Sequence, residues 1–210
     1  MNNFIKNQNW RYATKKFDAS KKITADDLLY LKEAIRLSVS SYGLQPYQVL
    51  IIENPEVRQQ IKEVAFNQAQ ITDASHLFVF ASYTELSDAK VDAYITNIAN
   101  TRNIEVEKVN GYGTFIKGIF NPKTEQEVLD WTAKQAYIAL TNLINAAAER
   151  KIDVTPMEGF IAEKVNEILQ LQDRNLNAVL LAPVGFRADD DATQFDAKVR
   201  KADQDLFIHI

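Results

Sequence analysis

One long helical segment constrains the fold more than any other part of this 210-residue sequence. It runs from Thr124 to Arg150 and reads TEQEVLDWTAKQAYIALTNLINAAAER. Thr124 and Glu127 have the spacing of a capping box, which predicts a helix start. The alanine and leucine-type residues that follow lie on several faces, and a helix of that kind is covered by neighbours on more than one side. The sequence therefore predicts a fold built around a central, largely buried helix.

Amphipathic helices and a few short strands are predicted around this segment. Helical spacing of apolar residues occurs in TADDLLYLKEAIRLSVSS, NPEVRQQIKEVAF, SDAKVDAYITNIANTRN and IAEKVNEILQL, and the first two begin with the capping residues Thr24 and Asn54. Three apolar runs, QVLII, HLFVFAS and NAVLLAPVGF, predict buried strands. Residues 104–122 are weakly patterned, and no linker divides the chain. We therefore predict a single α+β domain over residues 1–210.

Composition excludes several classes of function. The chain has no cysteine and two histidines, which excludes disulfide scaffolds, thiol nucleophiles and Cys/His zinc sites, and we predict no metal site. Its net charge of −4 and scattered lysines and arginines do not suit duplex nucleic acid or an anionic membrane. The start lacks the apolar region of a signal peptide, and no run approaches a membrane span. These observations predict a cytoplasmic location.

Two basic pairs lie near opposite ends of the chain. Arg11 and Lys15 are four residues apart, and Lys198 and Arg200 are two apart. An arginine fork suits phosphate, and chain termini often lie close together in a domain, so one phosphate could be held between the two pairs. A solvent-exposed basic turn at each end would explain the same residues.

Three further segments offer polar or apolar groups of interest. The turn TPMEGF contains Glu158 and Gly159, and amides in such a turn can point at an acceptor while glycine lets a planar ligand approach. From these residues alone, an ordinary connection with Glu158 in solvent is the favoured interpretation. SVSSYGLQPY supplies hydroxyls, but no nearby histidine could activate them, and we interpret His76 as structural. The apolar end LFIHI predicts docking on another surface, such as a second subunit.

Taken in order, six segments resemble the FMN-dependent nitroreductase family, in particular its oxygen-insensitive NAD(P)H nitroreductase and flavin reductase branch. The segments are RYATKKFDASKKIT, SVSSYGLQPYQ, FNQAQITDASHLFVF, WTAKQAYIALTNL, VTPMEGF and the pair LLAPVGFR and AKVR. The resemblance covers nearly the whole chain. It implies a central, mainly antiparallel sheet surrounded by helices, in an intertwined homodimer with two FMN sites at the interface.

The resemblance also implies which residues bind FMN. The basic ends would contact the phosphate and the negative charge that develops near N1 and O2 of the reduced ring. A backbone N–H at Glu158 or Gly159 would face N5, and Asn67 would bind the polar edge of the ring. The implied cofactor-binding residues are Arg11, Tyr12, Ala13, Thr14, Lys15, Asn67, Glu158, Gly159, Lys198, Val199 and Arg200, with Ser40, Ser41 and Gly43 reaching the flavin from the second subunit.

The implied activity is hydride transfer from NADH or NADPH through flavin N5 to nitroaromatics, quinones or flavins, by ping-pong turnover. Because the cofactor carries the redox chemistry, no side chain is assigned as a catalytic acid or base. Tyr112, Phe115 and Phe120 are candidates for a substrate lid, and packing in the dimer is the competing interpretation. Another flavin-dependent reductase or dehydrogenase, or a non-catalytic flavin sensor, remains an alternative.

Some positions depart from the family pattern. Ala13 stands where relatives commonly have serine, which removes a hydroxyl contact worth about 0.5–1.5 kcal/mol. Gln70 replaces a lysine near the nicotinamide or flavin edge, so the NADH or NADPH preference is open. Gly43 and Tyr47 replace an asparagine and a tryptophan on the substrate face. The flavin prediction is unaffected by these departures, but the acceptor is left undefined.

Overall fold

The computed structural model describes residues 3–210. Its strands are β1 (Tyr47–Ile52), β2 (His76–Tyr83), β3 (Asp153–Val154) and β4 (Leu176–Gly185). The α-helices of the described residues are α1 (Asn3–Trp10), α2 (Ala25–Arg36), α3 (Pro55–Val64), α4 (Gln70–Asp73), α5 (Asp88–Arg102), α6 (Asn110–Phe120), α7 (Glu125–Glu149), α8 (Ala162–Leu169) and α9 (Asp203–Leu206). The predicted α+β class is confirmed.

The strands form one antiparallel sheet in the order β1-β2-β4-β3. Tyr47 of β1 lies opposite Ser82 of β2, and His76 of β2 lies opposite Val184 of β4. Seven of the eight residues of β2 are buried, because helices cover both faces of the sheet. The antiparallel sheet surrounded by helices is therefore confirmed.

Helix α7 packs across one face of the sheet, as its composition predicts. Leu143 of α7, Leu31 of α2 and Phe78 of β2 are fully buried in one apolar cluster. The opposite face holds a second cluster, in which α3 and α8 pack on β2 and β4. Each buried side chain of this size stabilises the fold by about 1.5–3 kcal/mol. A third cluster lies between α5 and α6.

The predicted helix caps are present. Thr24 accepts a hydrogen bond from the Asp27 N–H at 3.0 Å. Asn54 accepts from the N–H groups at the start of α3, which begins at Pro55. Thr124 and Glu127 form the reciprocal capping box that opens α7. Local side-chain chemistry therefore sets these three helix starts.

Helix α6 corrects the interpretation of residues 104–122 as weakly patterned. It contains Gly111, Gly113 and Gly118, and glycine in a helix interior is unfavourable. A Cβ at Gly113 would lie 2.9 Å from Cγ1 of Ile95, so glycine allows α6 to approach α5 closely. Tertiary packing therefore stabilises a helix that local propensity does not indicate.

Helix α1 and strand β3 were also not predicted. None of the residues of α1 is buried, so it has no apolar periodicity to detect. Gln8 donates to Asn145 at 2.8 Å, and Lys151 donates to Asn7 at 2.6 Å. These side-chain hydrogen bonds attach α1 to α7 and to the residues that follow it. Strand β3 has only two residues.

Candidate active site

The two ends of the chain meet at a group of cations. The Lys198 ammonium donates to the backbone carbonyls of Gln8, at 2.5 Å, and of Arg11. Burial and the nearby Arg200 charge lower the pKa of Arg11. Burial and the charges of Arg11 and Arg200 likewise lower the pKa of Lys198. We call Arg11, Lys198 and Arg200 the basic cluster.

The basic cluster has no carboxylate partner in the part of the chain that the structure describes. Among the described residues, no Asp or Glu oxygen lies within 4 Å of these three side chains. Nε of Arg11 donates to Gln8 at 2.8 Å, which leaves both of its terminal nitrogens without a partner in the described structure. A fork of free N–H groups beside two other cations is suited to a phosphate group.

Arg187 supports the basic cluster and was not assigned a role from the sequence. Its Nη2 lies 2.6 Å from Oδ1 of Asp153, which is 2% exposed. Its guanidinium also stacks on the rings of Trp10 and Tyr12, at 4.1 and 4.5 Å. Arg187 therefore fixes the residues that precede and follow Arg11. The sequence places Arg187 and Asp153 34 residues apart, and no local pattern pairs them.

Asp191 anchors the residues that follow Arg11. It accepts hydrogen bonds from the Tyr12 hydroxyl at 2.8 Å and from the backbone N–H groups of Lys15 and Lys16 at 2.8 and 3.1 Å. Burial opposes ionisation of Asp191, but these donated bonds outweigh it and lower its pKa. Burial and Asp191 together raise the pKa of Tyr12. The side chain of Lys15 is exposed.

A second segment, residues 155–159, contacts the residues that follow Arg11. The Thr155 hydroxyl donates to the backbone carbonyl of Thr14 at 2.7 Å. Oγ1 of Thr14 is fully buried and has no hydrogen-bond partner among the described residues. Ala13 beside it is exposed. An unsatisfied hydroxyl in a buried position is costly.

Glu158 and Gly159 lie at the far end of this segment. Met157 exchanges backbone hydrogen bonds with Leu181 of β4, so Glu158 begins where the sheet contact ends. The carbonyl of Gly159 accepts from Nε2 of Gln68 at 2.8 Å. A Cβ at Gly159 would touch Gln68 and the Phe66 ring, at 3.5 and 3.6 Å.

Residues 66–68 form one wall beside Gly159. Phe66 and Asn67 have positive φ angles of 54° and 55°, which is uncommon for residues other than glycine. The Phe66 side chain is 69% exposed, and Asn67 is also exposed. Phe66 and Gln68 were not assigned from the sequence, although both lie beside Asn67 in a segment that was singled out. Two successive strained residues are typical of functional loops.

The segment that contains Ser40, Ser41 and Gly43 is bonded to other parts of the fold. The Ser41 N–H donates to Gln135 of α7 at 2.8 Å, and Ser40 accepts from the Gln45 N–H at 2.9 Å. No hydrogen bond among the described residues connects this segment to the basic cluster. Its predicted contact with flavin from a second subunit stays a prediction.

Gly43 has a specific steric role. Its φ angle is +75°, and a Cβ there would lie 2.4 Å from the hydroxyl oxygen of Tyr94. Tyr94 and Tyr112 both donate to the carbonyl of Tyr42, at 2.7 and 3.2 Å. The glycine therefore makes room for the tyrosines that attach this turn to α5 and α6. Close approach explains why this chain has no larger side chain at position 43.

The three aromatic residues predicted for a substrate lid differ in exposure. Tyr112 and Phe115 are 37% and 55% exposed, with nearly parallel rings whose centroids are 6.3 Å apart. Phe120 is 4% exposed and packs 4.5 Å from Trp131. Phe120 therefore belongs to the interior of its own chain, and Tyr112 and Phe115 remain candidates for substrate contact.

The remaining predicted positions are exposed or lie in a groove. Val199 is 85% exposed, and Gln70 begins α4. A groove of about 760 Å³ lies between α2, β1 and α5 and includes Gly43 and Tyr47 in its lining. In the part of the chain from residue 3 onwards, none of the helices has the length and apolarity needed to cross a membrane.

Comparison with known proteins identifies the family. Residues 9–186 match the Nitroreductase family. A Bacillus subtilis protein assigned as an NAD(P)H nitroreductase, YfkO, is 32% identical over 194 residues, which are 87% of each chain. The major NAD(P)H-flavin oxidoreductase of Aliivibrio fischeri is 32% identical over 203 residues, which are 93% of each chain.

A solved structure shows the same fold. An Exiguobacterium sibiricum protein assigned as a nitroreductase, crystallised in complex with FMN, superposes with a TM-score of 0.84. The superposition covers 100% of this chain and 98% of that one, at 18% identity, so this similarity shows the fold alone. From the family match and the two relatives, the chain belongs to the Nitroreductase family.

Proposed function

We propose that this protein is an FMN-dependent oxidoreductase that passes hydride from NADH or NADPH to a flat acceptor. Candidate acceptors are nitroaromatics, quinones and free flavins, and the nicotinamide and the acceptor would occupy the same face of the flavin in turn. Membership of the Nitroreductase family and the relative named as an NAD(P)H-flavin oxidoreductase support this activity. The observation that carries it is the basic cluster, which has no carboxylate partner among the described residues.

The phosphate of FMN fits the basic cluster. Among residues 3–210, the terminal nitrogens of Arg11 are unpaired and offer a fork, and Arg200 uses only Nη1, which donates to the Val199 carbonyl at 2.6 Å. Two of the three N–H donors of Lys198 bond backbone carbonyls, so one donor has no partner among the described residues. These side chains would hold the phosphate by charge-assisted hydrogen bonds.

The flavin ring fits the segment that runs away from the cluster. Thr155 lies against Thr14, and the three residues that follow it reach at most about 10 Å. Glu158, Gly159 and Asn67 would therefore face the ring of an elongated ligand whose anionic end lies at the basic cluster.

Bound FMN supplies the hydride-transfer chemistry at its N5 atom. The protein residues bind and orient the cofactor, and the cations lower the cost of the negative charge that reduction places on the ring. The exposed Phe66 ring beside Gly159 would exclude water from one edge of the site. We assign no side chain as a catalytic acid or base.

The protein would act as an intertwined homodimer. Ser40, Ser41 and Gly43 are then brought to the flavin of the other subunit. Leu206, Phe207, Ile208 and Ile210 at the C-terminal end are each at least 57% exposed. Covering such side chains is worth about 1.5–3 kcal/mol each, which favours docking of this end on a second copy.

Cofactor loading and reduction test the proposal. The purified protein should be yellow, or become so after addition of FMN, and NADH or NADPH should bleach it in the absence of oxygen. A nitroaromatic or quinone should then restore the colour. Protein that does not take up FMN contradicts the proposal. Protein that binds FMN but is not reduced by either nucleotide would instead be a flavin sensor.

A further inference from the structure

A solvent-exposed hydrogen bond connects the central helix to the candidate ring site. The hydroxyl of Tyr137, on α7, donates to Oε1 of Glu158 at 2.7 Å. We propose, on the basis of the proposed function, that Tyr137 is a positioning residue that holds the Glu158 carboxylate and offsets its negative charge beside the reduced flavin. No local sequence pattern pairs Tyr137 with Glu158, because the two residues are 21 positions apart.

The Glu158 carboxylate depends on Tyr137 for its position. Among the described residues, no Lys, Arg or His nitrogen lies within 4 Å of it. Its backbone is held from both sides, because Met157 pairs with Leu181 and Gly159 accepts from Gln68. Within residues 3–210 the Glu158 side chain has only the tyrosine hydroxyl as a partner, so removal of that hydroxyl frees the carboxylate without releasing the backbone.

Tyr137 is suited to this task. Its neighbours Ala136 and Ala139 on α7 are fully buried against the sheet, so the helix gives the phenol a rigid base. Burial, followed by the hydrogen bond and charge of Glu158, raises the pKa of Tyr137 to about 12. The phenol therefore stays protonated at neutral pH and continues to donate. A donated hydrogen bond draws charge from the carboxylate and weakens its repulsion of electrons on a nearby ring.

The structure provides a matched control pair. Tyr30 on α2 donates to Oε2 of Glu149 at 2.7 Å, the same distance and the same chemistry. Glu149 lies at the end of α7, twelve residues after Tyr137, which is about 18 Å along the helix axis. A loss of stability caused by removing a tyrosine–glutamate bond from α7 should appear in both variants. An effect on the flavin should appear only at Tyr137.

The test uses the full chain loaded with FMN, as the parent and as Tyr137→Phe, Glu158→Gln and Tyr30→Phe. The midpoint potential of the bound flavin is measured by equilibration with a reference dye, and FMN affinity by fluorescence titration. Tyr137→Phe should lower the potential, because reduced FMN binds about threefold to tenfold more weakly relative to oxidised FMN. Glu158→Gln should raise the potential, because it removes the charge. Tyr30→Phe should leave it unchanged.

The outcomes separate this inference from the proposed function. A parent protein that binds no FMN overturns both. A parent that binds FMN while Tyr137→Phe has the parental potential overturns only the role of Tyr137. Equal shifts in Tyr137→Phe and Tyr30→Phe would show a purely structural contribution. If Tyr137→Phe does not fold, the sign of the Glu158→Gln shift decides, since a potential that does not rise contradicts the inference.

Discussion

Removal of the Asp153 carboxylate should destabilise the fold strongly. Asp153 is 2% exposed. Its carboxylate accepts hydrogen bonds from three donor groups of Arg187: the backbone N–H at 2.9 Å, Nε at 3.1 Å and Nη2 at 2.6 Å. Asp153→Ala leaves a mostly buried guanidinium without its counter-charge, and breaking a buried pair in this way costs about 3–5 kcal/mol. For a domain of about 200 residues, each kcal/mol lowers the melting temperature by about 2–4 °C. The expected decrease is therefore about 6–20 °C.

Urea unfolding monitored by circular dichroism measures this loss, with Asp190→Ala as the control. Asp190 pairs with Lys16, but both side chains are more than half exposed, so its removal should change the free energy of unfolding by at most about 1 kcal/mol. Asp153→Asn keeps hydrogen-bond acceptance and should lie between the two variants. If Asp153→Ala and Asp190→Ala lost equal stability, the buried pair would not be what holds Arg187 in place.

Three further predictions concern the cofactor, the strained turn and pH. Arg11→Ala and Arg200→Ala should each weaken FMN binding by about tenfold or more in fluorescence titrations, while the apoprotein stays folded. Lys201 is an exposed neighbour, and Lys201→Ala should change the FMN affinity little. Unchanged affinity in the first two variants argues against a phosphate site. Gly43→Ala should lower the free energy of unfolding in urea by about 1–3 kcal/mol, because φ at residue 43 is positive and a Cβ there would lie 2.4 Å from a tyrosine hydroxyl. Stability equal to that of the parent would show that this turn relaxes freely. Burial lowers the pKa of His76 in the folded state, so the unfolded chain binds more protons near and below pH 6.5. The melting temperature should therefore fall as the pH drops through this range. In His76→Gln the melting temperature should fall less.

The elements that the sequence predicts are those with local causes. Thr24, Asn54 and Thr124 start their helices through hydrogen bonds to N–H groups two or three residues away, and each was recognised. The three long strands were recognised as continuous apolar runs. Helix α6 was missed because its three glycines disfavour a helix locally, and one of them, Gly113, serves contact with Ile95 of α5. Helix α1 was missed because polar bonds, not an apolar face, attach it.

The candidate site divides in the same way. The residue types at the chain ends were recognised as basic pairs, and the resemblance assigned them to one cofactor. The supporting contacts could not be found from the sequence, because Arg187 with Asp153 and Tyr137 with Glu158 join positions 34 and 21 residues apart. Such pairs form only when the sheet and α7 are already in place. Resemblance therefore predicts which residues face a ligand, and the structure shows which contacts hold those residues in the fold.

The basic cluster would allow an acidic protein to prefer one small anion. Burial, and after it the like charges within the cluster, lowers the pKa of Arg11 and of Lys198, so both causes disfavour the charged forms of these side chains in the free protein. The charge of Arg187 adds to this repulsion at Lys198, although Arg187 is itself paired with Asp153. A doubly charged phosphate would relieve the repulsion at all three members of the cluster together, whereas a single surface carboxylate would relieve part of it. We expect the chain's net charge of −4 to disfavour polyanions, so the proposed site suits a small ligand with one concentrated charge.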